Sequence, residues 1–229
     1  MTQRTERYLL STGYCDCKNE TLRTKVNEIT NGVETQREKA LKVFYWIRDE
    51  ILFNSTLQIY KRASETINEG TVDYCNKINL HVALLRAVNI PARIQYAQVD
   101  KEILKHFIPG FLWNRIPDPI GHAWCECYLD EKWTSCEALF DMSLFEGLIK
   151  TDTVSSVDIP SIEWDGNNDL ILLRKWIVRR EEPIASFDDL LHYELEKVGY
   201  PPKLFCILLN WLAAWGSRRT TNKFRNVVP

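Results

Sequence analysis

The chain has 229 residues, 45% hydrophobic and 26% charged, enough to build one sizeable domain or one domain with an appended helical segment. A formal net charge of -2 gives no ground for a nucleic-acid partner, and the most apolar run, Leu204 to Trp215, falls short of the ~20 residues that a membrane span needs. No secretory leader is read after Met1, and seven cysteines without one predict free thiols in the cytoplasm instead of a disulfide framework.

No internal repeat or low-complexity segment interrupts the chain. Gln36 to Phe53 carries Ala40, Val43, Phe44, Ile47 and Ile51 at helical spacing. A second helix is expected from Cys75 to Ala87, with Leu80, Leu84 and Ala87 on its buried stripe and Asn89-Ile90-Pro91 ending it. Ala92 to Val99 reads as a strand. Asp100 to Pro119, broken by Pro109, Gly110, Pro117 and Pro119, reads as a surface excursion of the kind that forms binding loops and lids. His122 to Leu129, a turn at Asp130-Glu131-Lys132 and a strand from Trp133 form an antiparallel hairpin. The apolar run from Leu170 to Val178 fits a strand or a helix. Ser186 opens a capped helix, Pro201-Pro202 introduces a final apolar helix through Trp215, and the basic stretch Arg218 to Arg225 reads as a solvated terminus. This order of helices, strand, hairpin and helices predicts an α+β domain.

Cys75 stands where a mostly polar connection gives way to an apolar-periodic helix. There, unpaired N–H groups and the positive end of the helix dipole favour thiolate over a thiol of ordinary pKa ~8.5. By position alone a buried structural cysteine is the commoner case. Of the histidines, His81 and His192 read as ordinary partly exposed helix residues, and His106 lies in the excursion. His122 opens a strand after Pro119-Ile120-Gly121, and a rigid element fixes a ring as a general base requires. Period-two alternation places His122, Trp124, Glu126 and Tyr128 on one face, and Trp133, Ser135 and Glu137 on one face of the next strand. Glu137 is therefore the expected partner of the second ring N–H, with Asp141 the rival. Trp113, in the excursion, and Trp124 are the candidate substrate contacts.

The pairs Cys15-Asp16-Cys17 and Cys125-Glu126-Cys127, with Cys136, contain enough thiols for tetrahedral zinc. Their spacing departs from the usual Cys-x₂₋₄-Cys, and Cys125 and Cys127 face a core opposite His122. No metal and no cofactor is expected. Arg86 and Arg93 read as partners of carboxylates or carbonyls at a helix end, in preference to anion binders.

Tyr74-Cys75 followed by Ala83-Leu84-Leu85-Arg86-Ala87-Val88-Asn89-Ile90-Pro91-Ala92-Arg93 resembles the nucleophile helix of the transglutaminase-like superfamily. His122-Ala123-Trp124-Cys125-Glu126-Cys127-Tyr128, then Trp133-Thr134-Ser135-Cys136-Glu137, resembles the family's histidine strand and the acid four residues after its tryptophan. The likeness covers roughly residues 40 to 141. Two positions depart: Asp73 stands where the family usually has glycine, and Glu137 where it usually has aspartate.

The resemblance implies a papain-like, transglutaminase-like core with the nucleophile helix packed on an antiparallel sheet, residues 1–160 forming the core and 161–229 a helical extension packed on it. It implies acyl transfer or amide hydrolysis through a Cys75 thioester, with His122 as base and Glu137 as its orienter. The Cys75 N–H is the expected oxyanion donor. Substrates are peptides, amides or carrier-tethered acyl groups. Acyltransfer or Dieckmann-type cyclisation on a carrier-tethered thioester, and a non-catalytic binding module, are the alternatives. The oligomeric state is left open.

Overall fold

The computed structural model describes residues 5–54, 60–105, 113–114, 116–198 and 221–227. Helix α1 (Glu20–Ile29) is capped by Asn19, and α2 (Gln36–Glu50) by a reciprocal box in which Thr35 accepts from the Glu38 N–H and Glu38 accepts from the Thr35 N–H. Helix α2 stops three residues before the expected Phe53. Leu52 and Phe53 form a short strand, β1 (Leu52–Phe53), that pairs in parallel with β2 (Thr71–Val72) after the one-turn helix α3 (Ala63–Thr66). Helix α4 (Tyr74–Ala87) is buried along almost its whole length. Asn89, with φ of 60°, turns the chain out of it.

A four-stranded antiparallel sheet, ordered β5-β4-β3-β6, lies against α4. Strand β3 (Ala92–Val99) pairs along β4 (Ile120–Leu129), which continues through the hairpin into β5 (Lys132–Ser135). The turn residues Asp130 and Glu131 both have positive φ, the twist that a two-residue hairpin needs, and Arg37 of α2 pairs with Asp130. Gly121 is required where it stands: a Cβ there would sit 2.0 Å from the Tyr96 hydroxyl on the neighbouring strand. That close approach immediately precedes His122.

One apolar cluster fills the space between α1, α2, α4 and the sheet, with Phe44, Ile47, Leu80, Leu84, Ile94 and the thiols of Cys125, Cys127 and Cys136 in it. A second joins Phe53, Val99 and Phe140 to helix α5 (Met142–Lys150). The chain after residue 160, expected as a helical extension, first runs back through the core. Trp164 packs 5.4 Å from the Phe44 ring, Leu170 bridges Cys136, and β6 (Ile177–Arg180) becomes the fourth strand of the sheet. The ambiguous Leu170–Val178 run is therefore a bridge, a 3₁₀ turn at Arg174–Trp176 and the start of β6. Helix α6 (Phe187–Val198) follows, with the Ser186 hydroxyl accepting from the Asp189 N–H at 3.2 Å as expected. The apolar helix expected from Pro201 to Trp215 lies outside the described residues. No described helix is long and apolar enough to cross a membrane.

The expected solvated terminus is corrected for its described part. Phe224 is buried in the second cluster, and its carbonyl lies so near Gly147 that a Cβ there would be 2.0 Å away. Arg225 grips the Asp141 carboxylate at 2.6 Å and donates to the Phe53 carbonyl at 2.7 Å. Burial pushes the Asp141 carboxyl up, but Arg225, Ser143 and the Leu144 N–H outweigh it and hold it below its usual 3.8. Because the folded value is the lower one, this stabilisation is complete above about pH 4 and is lost as pH falls through the folded value. Arg225→Ala is expected to lower stability by about 3 kcal/mol near neutral pH, since it strands a buried carboxylate. The deficit should shrink below about pH 4, as read from urea midpoints. A deficit unchanged by acid would mean that the arginine acts only through packing.

Candidate active site

The geometry begins at the start of α4. Asp73 is the N-cap, its carboxylate accepting from the Asn76 N–H at 3.1 Å and from the Asn76 side-chain amide at 2.6 Å. The Cys75 N–H also acts on this carboxylate. Burial raises the Asp73 carboxyl above its usual value, and these N–H donors offset only part of that rise. Cys75, the second residue of the helix, is 4% exposed. Tyr74 beside it places its ring 6.0 Å from that of His122, which brings the helix start to the imidazole.

His122 lies near the start of β4, beside Gly121. Its Nε2 is 2.8 Å from Glu137 Oε1 in a buried setting. Donation from Nε2 selects the tautomer in which Nδ1 carries the basic lone pair. The other carboxylate oxygen, Glu137 Oε2, accepts the Leu172 N–H at 2.6 Å, and the Glu137 N–H donates to the Leu170 carbonyl at 3.1 Å. The acid is thus clamped through both its side chain and its backbone by a segment far along the chain, a contribution no local pattern announced. Asp141 has other work: it caps α5 through the Leu144 N–H at 3.0 Å and pairs with Arg225.

The remaining expected residues divide. Trp124 shares the strand face of His122, its ring 6.0 Å from the imidazole; it is 1% exposed, with Arg180 over its ring at 5.4 Å. Trp113 is half-buried, with the Lys101 ammonium 5.0 Å from its ring centre. Glu126, the next residue on the His122 face after Trp124, is held by Arg93 at 2.8 Å and by the Ser135 hydroxyl at 3.2 Å. Arg86 donates to the Ala92 and Leu10 carbonyls at 2.8 and 2.7 Å and also to that of Ala185. Both arginines are structural, as read from the sequence. His192 is exposed, and His106 lies outside the described residues.

Lys77 was missed, and His81, expected to be partly exposed, is buried. Lys77 and His81 lie on α4 beyond Cys75, both buried, and line a small cavity that also reaches Tyr74, Trp124, Cys125 and Glu137. Lys77 donates to the Leu139 carbonyl at 3.1 Å and the Arg48 carbonyl at 3.4 Å. Burial pushes its ammonium down to about 7, with Asp141 pulling back only part of the way. Burial, helped by the Lys77 charge, pushes the His81 imidazole down to about 3. The available signal was the run Asn76, Lys77, Asn79, His81 within a helix whose apolar residues already cover most of its circumference.

Compared with known families, residues 23–138 match the model of the transglutaminase-like superfamily, a span that includes Cys75, His122 and Glu137. No curated protein matches the chain. Among solved structures, a Cytophaga hutchinsonii chain provisionally named a cysteine protease is similar at 22% identity with a TM-score of 0.48. The match covers 60% of this chain and 43% of that one, so this chain spans under half the length of that relative.

Lys77 makes a distinct prediction. Its folded pKa of about 7 lies below the unfolded 10.5, so between those values the unfolded chain binds more protons and stability rises with pH. Lys77→Met should raise stability at pH 7 and abolish the rise between pH 7 and about 10, measured by urea unfolding at a series of pH values. An unchanged slope would show that Lys77 reaches water in the folded state.

Proposed function

The chain belongs to the transglutaminase-like superfamily, and from that premise we propose that it is a cysteine-nucleophile enzyme performing acyl transfer or hydrolysis at an amide. The observation that carries the reading is the buried bond from His122 Nε2 to Glu137, with the carboxylate locked by the Leu172 N–H. That arrangement supports His122 Nδ1 as the base.

In this mechanism Nδ1 takes the Cys75 thiol proton, and the sulfur attacks the substrate carbonyl. The imidazolium then returns the proton to the leaving amine, and a Cys75 thioester remains. Glu137 keeps the ring in the productive tautomer and stabilises the imidazolium without itself taking the proton. The longer glutamate side chain is accommodated because Glu137 follows the end of β5 and reaches the imidazole diagonally: the ladder pairs Glu126 with Ser135, which puts Glu137 level with Trp124, two residues from His122. Water or an amine then resolves the thioester.

Asp73 alters one step. With the Cys75 N–H directed at its carboxylate, that N–H serves an oxyanion only when the carboxylate gives way or is protonated, and burial of Asp73 favours protonation. Trp113 is the proposed substrate contact.

The test is alkylation of Cys75 by iodoacetamide at neutral pH, followed by peptide mass mapping. Wild type should label Cys75 well ahead of the other thiols, and His122→Ala should slow this at least ~10-fold. Equal, slow labelling in both proteins overturns the reading. Glu137→Gln offers an amide N–H to one of two partners that both need an acceptor. Its acylation rate should fall by about 10²-fold or more, while Asp141→Asn leaves that rate near wild type.

A further inference from the structure

Strand alternation separates two sets of side chains on β4. His122, Trp124 and Glu126 take one face, and Ala123, Cys125 and Cys127 take the other, inside the main apolar cluster. Cys136, one residue past β5, joins them: its Sγ lies 4.0 Å from Cys127 Sγ, and its N–H donates to the Cys125 carbonyl at 2.9 Å. From α4 comes His81. A ring nitrogen of His81 and the sulfurs of Cys125 and Cys136 all lie within 4.8 Å of one another, and all three residues are buried.

Three thiols in a core are ordinary small apolar groups. The histidine is not. His81 Nε2 is fully buried and has no hydrogen-bond partner among the described residues, which is costly for a polar atom in an apolar setting. A metal ion satisfies it as an apolar neighbour cannot. We propose that His81, Cys125 and Cys136 bind a buried structural zinc ion, with Cys127, whose sulfur lies 4.0 Å from that of Cys136 but outside the tighter group, turning in as the fourth ligand.

The chemistry fits. Three thiolates and one neutral imidazole are an established donor set for tetrahedral zinc, and bond lengths of ~2.3 Å to sulfur put neighbouring sulfurs ~3.8 Å apart. The Cys127–Cys136 separation of 4.0 Å is already close to that edge. Binding converts three thiols to thiolates with release of three protons, and the resulting complex carries one net negative charge. The Cys-x-Cys spacing argued against zinc in the sequence because it considered pairs along the chain. Here the ligands come from α4, β4 and the residue after β5, and Cys15 and Cys17 do not join them.

The placement has a consequence for the catalytic face. His81 shares α4 with Cys75, Cys125 shares β4 with His122, and Cys136 immediately precedes Glu137. One ion would pin, from behind, the three elements that carry the proposed catalytic residues.

The test uses the full chain as Cys75→Ala, so that the nucleophile cannot contribute and the outcome is independent of the acyl chemistry. Protein expressed with zinc and purified under reducing conditions should contain about one zinc per chain by elemental analysis. After chelation, Co²⁺ should give the intense near-ultraviolet thiolate-to-cobalt band and the visible bands of a tetrahedral site. Less than about a tenth of a zinc per chain together with no cobalt–thiolate band overturns the proposal. So does full zinc retention in a folded Cys125→Ser, Cys136→Ser variant, which would place the metal elsewhere. If that variant does not fold, the metal content and cobalt spectrum of Cys75→Ala decide alone.

Discussion

The complete burial of α4 is the constraint on which the rest of the structure depends. Every residue from Cys75 to Arg86 is buried, so every polar group in that run needs a partner inside the protein. Asn76 takes the Asp73 cap and the Lys61 N–H, Asn79 donates to the Tyr14 and Lys61 carbonyls, Lys77 donates to those of Arg48 and Leu139, and Arg86 gathers carbonyls from three segments. These bonds draw the N-terminal segment, the loop before α3, the residues after β5 and the connection to α6 around one helix. Cys75 at its start, the proposed nucleophile, is positioned by that whole shell, which is how a small group gains fixed geometry.

The sheet contributes through alternation. Strand β4 serves two environments at once, with His122, Trp124 and Glu126 facing one way and Cys125 and Cys127 the other. A one-residue slip in register would exchange them, placing an imidazole in the thiol-lined core and a thiol at the site. Gly121, pressed against Tyr96, and the positive-φ turn at Asp130 and Glu131 hold the register from both ends of the strand.

The late chain is more than an appendage. Leu170 and Leu172 fix both the backbone and the carboxylate of Glu137, β6 completes the sheet, and Arg225 neutralises Asp141. A glutamate has one more rotatable bond than the family's usual aspartate and loses more freedom when held in one orientation. The Leu172 N–H is the device that holds it. The region that matches the family holds Cys75, His122 and Glu137, and the region beyond it supplies the restraint on the Glu137 carboxylate.

The sequence by itself determined what depends on neighbours along the chain. Helical spacing located α4 to within a residue, alternation located β3 and β4, and the face shared by His122 and Trp124 followed from a period of two. The hairpin made Glu137 a better partner than Asp141, because pairing across a short turn is a local property. Tertiary structure alone decided the rest. Burial of Trp124 against Ile171 was not legible in the strand pattern. His81 looked like a surface residue because helical spacing shows which face is apolar, not whether the opposite face is also covered. The clamp on Glu137 and the meeting of His81 with Cys125 and Cys136 join residues 33 to 55 positions apart, and no periodicity reaches that far. Such contacts are set by which layers the chain stacks together, a property of the packed molecule and not of any stretch of its sequence.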